Sequence, residues 1–519
     1  MHFDDLVAFD SLNKTLNLMA QGGIYDHIGG GFHRYSTDHH WLVPHFEKML
    51  YNQANLSRIY MRACEITGIE FYKQVVTETL DYVIREMTDQ KGGFYSATDA
   101  DNEDREGTFF IWKQSELKTI LTEQEYKLTV ELYGITETGN FEGENIFYLP
   151  QAYTDYASSH KIELNNLLKS VKNLKQKLWN VRNKRTPLLR DDKIITAWNG
   201  MMIIAFSEAG KALGRNDYTQ TAINAANYLL DKNRQEDGLL WRASLNGRPS
   251  TAGKQEDYAS LTEALTELYD STNEKRWLDE AQKITTIMLE KFWDKQGGGF
   301  FMNTEESIVK LPTRPKELGD NAVPSGNSIA FRVMAKLAKR TGNEDYKNQL
   351  EEMIVGLSAK INQYPELYPY MQTGLLEFLN YEYKAKQFAV GVNVNIESRI
   401  SNKNQDIELT IIVNMKPEWH INSNKPLSNN LVPIKLSANE NSPWEIIELT
   451  YPEPSIKSLS FSTEKLALYE NTIVIKGKLI RKTVDDYELL KLIKLKLRIQ
   501  ACNNNTCLTP ETVSIVLPS

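Results

Sequence analysis

Two hydrophobic periods divide this chain. Over residues 1–385 apolar side chains recur at i, i+3, i+4 and i+7, the pattern of helices that bury one face. The spacing predicts helices over Leu50–Ile66, Tyr72–Met87, Met201–Leu213, Ala222–Leu230, Leu261–Tyr269, Ala281–Phe292, Ile329–Leu337 and Leu350–Ile361. Several come as pairs, and the turn inside a pair repeats as Thr67-Gly68-x-x-x-Tyr72, Gly214-x-x-x-Tyr218, Asn273-x-x-x-Trp277 and Thr341-Gly342-x-x-x-Tyr346. Gly or Asn stands where a helix C-cap takes left-handed backbone, and the aromatic four residues later plugs the pair. A second element also recurs: Gly29-Gly30-Gly31-Phe32, Gly92-Gly93-Phe94-Tyr95, Asp237-Gly238-Leu239-Leu240-Trp241 and Gly297-Gly298-Gly299-Phe300-Phe301. Each reads as a tight turn entering a short aromatic strand. About twelve helices, in loop-rich repeats of about 60 residues, predict an (α/α)6 six-hairpin toroid rather than an α-solenoid.

After Lys386 the period becomes two. Phe388-Val390-Val392-Val394-Ile396, Ile407-Leu409-Ile411-Val413, Ile473-Ile475 and Ile493-Leu495-Leu497-Ile499 alternate with polar residues, between turn clusters such as SNKNQD and NSNKPLSNN. This predicts an immunoglobulin-like β-sandwich over residues 386–519.

Bulk properties remove several function classes. A net charge of −8 argues against nucleic acid as a partner, because phosphate binding wants a basic face. No run of 18 apolar residues exists to span a membrane. The start, MHFDDLVAFD, has no basic stretch followed by an apolar one, which places the chain as written in the cytoplasm; an upstream signal would move it outside. Three cysteines exclude a disulfide scaffold, and Cys64 falls on an apolar helix position, so it is expected in the core.

The candidate chemistry is concentrated. Five of eight histidines lie in DHIGGGFHRYSTDHHWLVPHFEKML, at residues 27, 33, 39, 40 and 45. Imidazole exchanges protons near neutrality, so this loop reads as proton-transfer or ligand-binding machinery. The repeats supply an internal control. Glycines and the aromatic persist in every copy and belong to turn geometry. The first copy alone adds His27, His33, Arg34, Trp41, His45, Glu47 and Lys48; the second adds Asp99, Asp101 and Glu106; the fourth carries only Glu305 and Glu306. Polar groups also gather at helix starts: Asp191-Asp192-Lys193 ahead of Trp198-Asn199, Glu256-Asp257-Tyr258, and Asp320 through Asn327. N-capping explains one residue at each. In a toroid whose inner helices begin at one mouth, the remainder would converge with the histidine loop. Asp38, His39, His40 and His45 are metal-ligand types, but no HExxH motif or Cys/His quartet accompanies them, so no metal is expected. No GxxxxGK[ST] occurs and the glycine run does not open a helix, so no nucleotide cofactor is expected either.

GGIYDHIGGGFHRYSTDHHWLVPHFEKMLYNQA, SATDADNEDREGTFFIW, DDKIITAWNGMMI, QEDYAS and GDNAVPSGNS together resemble the YyaL-type thioredoxin-domain-containing family, which is related to a spermatogenesis-associated protein. That resemblance covers nearly all of residues 10–385. It implies a toroid akin to N-acylglucosamine 2-epimerases and six-hairpin glycosidases. The family's N-terminal thioredoxin-like domain has no counterpart in this sequence, which starts just before the first toroid helix. The segment IQACNNNTCLTPE is similar to the cysteine segment of the N-terminal domain of the thiol:disulfide interchange protein DsbD. It implies disulfide exchange through Cys502 and Cys507 with a thioredoxin-like partner.

Two functions compete. One is a sugar-directed enzyme of the epimerase or isomerase kind acting on a small sugar or glycan. His27 and His45 would move protons, Glu47, Asp99 and Asp257 would supply further acid–base groups, and Arg34, Trp41, Lys48, Asp101, Trp198, Asn199, Tyr258, Asp320 and Asn327 would bind. An inverting glycosidase would instead use a carboxylate pair from the same mouth. The other is a redox-relay or glycan-binding protein with a non-catalytic toroid, its activity carried by Cys502 and Cys507.

Overall fold

The computed structural model describes residues 6–102, 105–305, 313–384, 387–389, 394–403, 406–428, 430–438, 442, 444–459, 464–481, 493–504 and 507–517. The expected strand positions Val390 and Val392, together with Glu306, fall outside them. The fold class is the one the two periods predict, helical hairpins of the (α/α)6 class followed by antiparallel sheets of a sandwich. The helices are Leu6–Gln21 (α1), Leu50–Thr67 (α2), Glu70–Glu86 (α3), Gln114–Ile120 (α4), Glu123–Leu132 (α5), Tyr153–Ser159 (α6), Leu164–Arg182 (α7), Thr196–Leu213 (α8), Asn216–Lys232 (α9), Gln255–Thr272 (α10), Lys275–Phe292 (α11), Gly326–Thr341 (α12), Glu344–Gln363 (α13) and Pro369–Lys384 (α14). The chain divides into two compact units, Met1–Val333 and Met334–Ser519, so the division falls inside α12. The change from helix to strand comes later, between α14 and the strand Gln387–Ala389.

In the first unit α2 with α3, α8 with α9, and α10 with α11 pack as hairpins, while α2, α8 and α10 pack side by side. The repeated turn behaves as its residues dictate. Gly68, Gly214, Asn273 and Gly342 hold φ of 69°, 66°, 58° and 69°, the left-handed region that Gly and Asn tolerate. A Cβ at the three glycines would meet nothing within 4 Å, so backbone angle rather than space is the constraint. Tyr72, Tyr218, Trp277 and Tyr346 are buried behind these caps.

The glycine turns share a clamp that engages three of the expected binding residues. Phe32, Phe94, Leu240 and Phe300 each bridge back to the end of the preceding segment, at Tyr25, Thr88, Arg234 and Trp293. Each is then gripped by the start of a later helix: α2, α8, α10 and α12 in turn. The Phe94 N–H donates to Asn199 Oδ1 at 2.7 Å and Asn199 Nδ2 donates to the Phe94 carbonyl at 2.9 Å. Asn327 grips Phe300 at the same two distances. Gln53 grips Phe32 at 2.8 and 2.7 Å, and the Leu240 N–H donates to the Tyr258 hydroxyl at 2.8 Å. Asn199, Asn327 and Tyr258 are therefore buried turn clamps, their polar atoms committed to backbone groups that would otherwise be orphaned.

Helices α4 to α7 are absent from the helices the spacing predicts. They form a separate apolar cluster around Trp112, Tyr133, Leu167 and Leu174. Cys64, expected in the core, is half-buried instead. It sits on the flank of α2 beside Glu70 and Lys73 of α3.

In the second unit α14 packs on the strands Val394–Lys403 and Glu511–Leu517. A five-stranded sheet runs in the order 387–389, 394–403, 406–415, 472–481, 444–450. A four-stranded sheet runs 455–457, 466–470, 420–422, 501–502, and a three-stranded one 435–438, 493–499, 511–517. All pairings are antiparallel. The alternating residues Ile396, Leu409, Ile411, Val413, Ile475, Leu495 and Leu497 fill one core with Trp444 and Tyr469.

Candidate functional site

The segment 44–49 alternates, and the alternation sorts the histidine-loop residues onto two sides. Phe46 and Lys48 are buried, whereas His45 and Glu47 remain partly open. Pro44–His45 pairs with Tyr35–Ser36, so the Tyr35 ring stacks on His45 at 5.1 Å and 29°. His45 Nδ1 lies 2.7 Å from Glu106 Oε1 and its Nε2 lies 3.5 Å from Glu47 Oε2. Glu106 is fixed by the Phe46 N–H at 3.0 Å, and Glu47 pairs with Arg34 at 2.9 Å. Asp101 stands opposite Glu106 in the small ribbon Asp101–Asn102/Arg105–Glu106. An imidazole with a carboxylate at each nitrogen, a guanidinium beside it and an aromatic face over it can take, hold and return a proton.

The cluster extends to the starts of α8 and α10. Arg34 hydrogen-bonds Tyr51, whose ring meets the edge of Trp198 at 4.9 Å and 69°. The N–H of Ala197, next to Trp198, donates to Asp257 Oδ1 at 3.1 Å. Asp257 is 0% exposed and also accepts from the Lys254 N–H at 2.8 Å, with Arg242 at 3.4 Å. Burial pushes its carboxyl up to about 7; the Arg242 guanidinium pulls the other way and Glu256 adds to the rise. Arg242, which bridges Glu256 and Asp257, was not among the expected residues.

His27 lies elsewhere. It is 2% exposed, its Nε2 faces the carbonyls of Gly22 and Gln21 at 3.0 and 3.2 Å, and its ring packs on Tyr25 and Tyr133. Burial holds its pKa down at about 4, so at neutral pH it is an uncharged core side chain. His33 behaves alike, bonded to the Phe46 carbonyl and held at about 3 by burial and by Lys48. Lys48 is 1% exposed, 2.8 Å from Asp26 and from the Gly30 carbonyl, and 4.2 Å above the Tyr82 ring. Asp26 also takes two 2.8 Å bonds from Arg182. The expected binding residue Lys48 is thus one corner of a buried ion triad. It borders a cavity of about 420 Å³ that Arg85, Arg182, Arg185 and Arg190 also line. Asp26 carried a signal that went unread: it begins the first glycine turn as Asp89 and Asp294 begin the second and fourth.

The remaining expected residues serve their own loops. Asp99 is exposed and accepts from the N–H groups of Ala100 and Asp101. Asp320 accepts the Ser325 N–H ahead of α12. Half-buried Trp41 holds φ 61° and its carbonyl accepts from Ile24. Asp38 takes the N–H groups of His40, Leu42 and Val43, and His39 and His40 are exposed.

In the second unit Cys502 and Cys507 form a disulfide with Cα atoms 4.0 Å apart. Cys502 is buried in the strand that pairs with 420–422, and Cys507 is the more open of the two.

Hairpins of the (α/α)6 class joined to a disulfide-bearing sandwich define the class of protein. Known proteins share sequence with this chain. The chain is 34% identical over 397 residues to spermatogenesis-associated protein 20 of Rattus norvegicus, a match covering 70% of this chain and 50% of that protein. The Homo sapiens protein of the same name matches equally, at 34% over 397 residues with the same coverage. Residues 391–519 match the family described as thiol:disulfide interchange protein DsbD, N-terminal. Both resemblances read from the sequence motifs are borne out: the chain is similar to spermatogenesis-associated protein 20 over 70% of its length, and residues 391–519 match the DsbD N-terminal family. The chain spans about half the length of the curated relatives it matches. Among solved structures it is similar to cellobiose 2-epimerase from Bacillus thermoamylovorans B4167, with a TM-score of 0.45 and 12% identity over 74% of this chain and 88% of that one. Among the described residues no helix is long and apolar enough to cross a membrane.

Proposed function

We propose that residues 1–385 form a sugar-directed acid–base enzyme of the epimerase or isomerase kind, and residues 386–519 a separate domain that exchanges its disulfide. The observation that carries the first half is His45 with Glu106 on one nitrogen and Glu47 on the other, stacked by Tyr35 and joined through Arg34 and Tyr51 to Trp198. In this reading the open-chain sugar lies against Tyr35 and Trp198, which offer the apolar faces that sugar rings and chains stack on. His45 removes the proton at the carbon beside the carbonyl, and Glu106 steadies the imidazolium. The Arg34 guanidinium offsets the negative charge that develops on the carbonyl oxygen. The proton returns from His45, or from the opposite face through a carboxylate of the same cluster. Only the latter inverts the centre.

The second half rests on Cys502–Cys507, whose half-buried member Cys507 is the one a thioredoxin-like partner would attack. Such a domain works where disulfides persist, an oxidising compartment.

Proton NMR of the full chain with a panel of aldoses and N-acetylhexosamines in deuterated water tests the enzyme reading. Exchange or epimerisation at C2 supports it. Hydrolysis of aryl glycosides of the same sugars, assayed beside the panel, would transfer the role to Glu47, Glu106 and Asp257. Silence across the panel from folded protein would leave a binding toroid and refute the enzyme.

A further inference from the structure

The four-stranded sheet sets one row of side chains across three strands. His420 stands directly opposite Glu470 on one neighbour and directly opposite Cys502 on the other. Cys502 in turn bridges to Cys507. Directly opposed residues of an antiparallel pair point to the same face, with Cβ atoms about 4.5–5.5 Å apart. Their sequence neighbours Ile421, Tyr469 and Ala501 point the other way and belong to the large apolar core. Glu470, His420, Cys502 and Cys507 therefore run in sequence along one face, with Lys457 ion-paired to Glu470 at 2.7 Å.

His420 is 2% exposed, and its Nε2 has no hydrogen-bond partner while the disulfide is closed. A buried polar atom left unsatisfied is costly, and the sheet offers it one neighbour that changes chemistry. Opening the disulfide turns Cys502 Sγ from an inert bridge atom into a thiol with a proton to give. We propose that His420 is the acid–base residue of the disulfide site, taking the Cys502 thiol proton when the bond is open, with Glu470 steadying the ring from the opposite strand. This rests on the exchange reading of Cys502–Cys507 and adds a residue to it.

The step balances as follows. In the reduced domain the Cys507 thiolate attacks an external disulfide, and one external thiolate leaves. Cys502 passes its proton to His420 Nε2, and the resulting thiolate attacks Cys507 Sγ. The Cys502–Cys507 bond forms, the mixed disulfide breaks, and the second external sulfur leaves with the electron pair and takes a proton from solvent. Two electrons pass from the domain to the external disulfide. Among the described residues the charged groups bearing on His420 are Glu470 on one adjacent strand and Lys457 beyond it. Burial lowers the affinity of the ring for a proton, Glu470 opposes this and Lys457 adds to it, so near neutral pH the ring is in its accepting form.

The test uses the reduced full chain, oxidised glutathione as the external disulfide, and mass spectrometry of quenched samples. Wild type is expected to pass quickly through the mixed disulfide. His420→Gln is expected to accumulate it and resolve it about 10²-fold more slowly at pH 7, with the gap closing above the ordinary thiol pKa of about 8.5. Glu470→Gln leaves the imidazole in place and is expected to slow resolution less, in the same direction. A chain that neither forms nor resolves the mixed disulfide would refute the exchange reading itself. Wild-type rates and pH profile in both variants, with exchange intact, would overturn the role of His420 alone.

Discussion

Asp26 takes two bonds from Arg182, one from Lys48 and two from the N–H groups of Ile28 and Gly29, all while buried. A single carboxylate answers two buried cations, so removing it leaves both uncompensated. Asp26→Asn is expected to cost about 3–5 kcal/mol in urea unfolding, the range for a broken buried pair. A loss under about 1 kcal/mol would mean the triad is hydrated. Asp257 makes the opposite electrostatic statement. Its folded-state pKa of about 7 lies above the unfolded carboxylate value of about 3.9, so between those values the folded state binds more protons. Stability from this group is full below the window and falls as pH rises through it. Carboxyl carbon NMR should show Asp257 titrating near 7, and Asp257→Asn should flatten the decline. At this scale the sequence marked which residue types were unusual but not which way each pointed. His27 and His45 are equally conspicuous in the string; only the burial of one by Tyr25 and Tyr133 and the pairing of the other with Glu106 separate them.

The clamp repeats with one spacing in three of its four helices. Gln53, Asn199 and Tyr258 are each the fourth residue of α2, α8 and α10, and each holds the backbone of the glycine turn that precedes it. Asn327, near the start of α12, does the same for Phe300. The side chains vary because any group able to meet a backbone amide will serve there. That variation is why Asn199 and Asn327 read as ligand-binding residues and Gln53 passed unnoticed: the turns were aligned with one another, but not with the helices that follow them. The C-cap turns, by contrast, were legible in full, because a left-handed φ narrows the choice to Gly or Asn. Asn199→Ala and Asn327→Ala are each expected to lose about 1–3 kcal/mol by orphaning the backbone groups of Phe94 and Phe300. C2 exchange should persist in whatever fraction stays folded. Exchange lost without a loss of stability would return these residues to the substrate.

Across the whole chain the two periods were enough for fold class, since 3.6 and 2 are imposed by helix and strand geometry whatever the function. Helices α4 to α6 escaped because 7, 10 and 7 residues carry too few turns to show a stripe, whereas α7 shows one in Leu164, Leu167, Val171, Leu174 and Leu178 and was passed over. Under the proposal the second unit adds an exchanging disulfide to a chain whose first unit carries an acid–base site. A disulfide that exchanges has a reduction potential near those of known oxidoreductases, between about −120 and −270 mV, whereas a structural one lies below about −300 mV. Titrating Cys502–Cys507 in glutathione and dithiothreitol buffers should place it in the first range, and a value in the second would make the bridge a staple. The central claim is narrower: proton transfer at the mouth runs through His45, and the histidine buried beside Tyr133 is scaffolding. Deuterium incorporation at C2 of an aldose accepted by the wild type, measured by proton NMR for His45→Ala and His27→Gln side by side, tests it most directly. The account predicts no incorporation with His45→Ala and near wild-type incorporation with folded His27→Gln. Incorporation surviving in His45→Ala would contradict it.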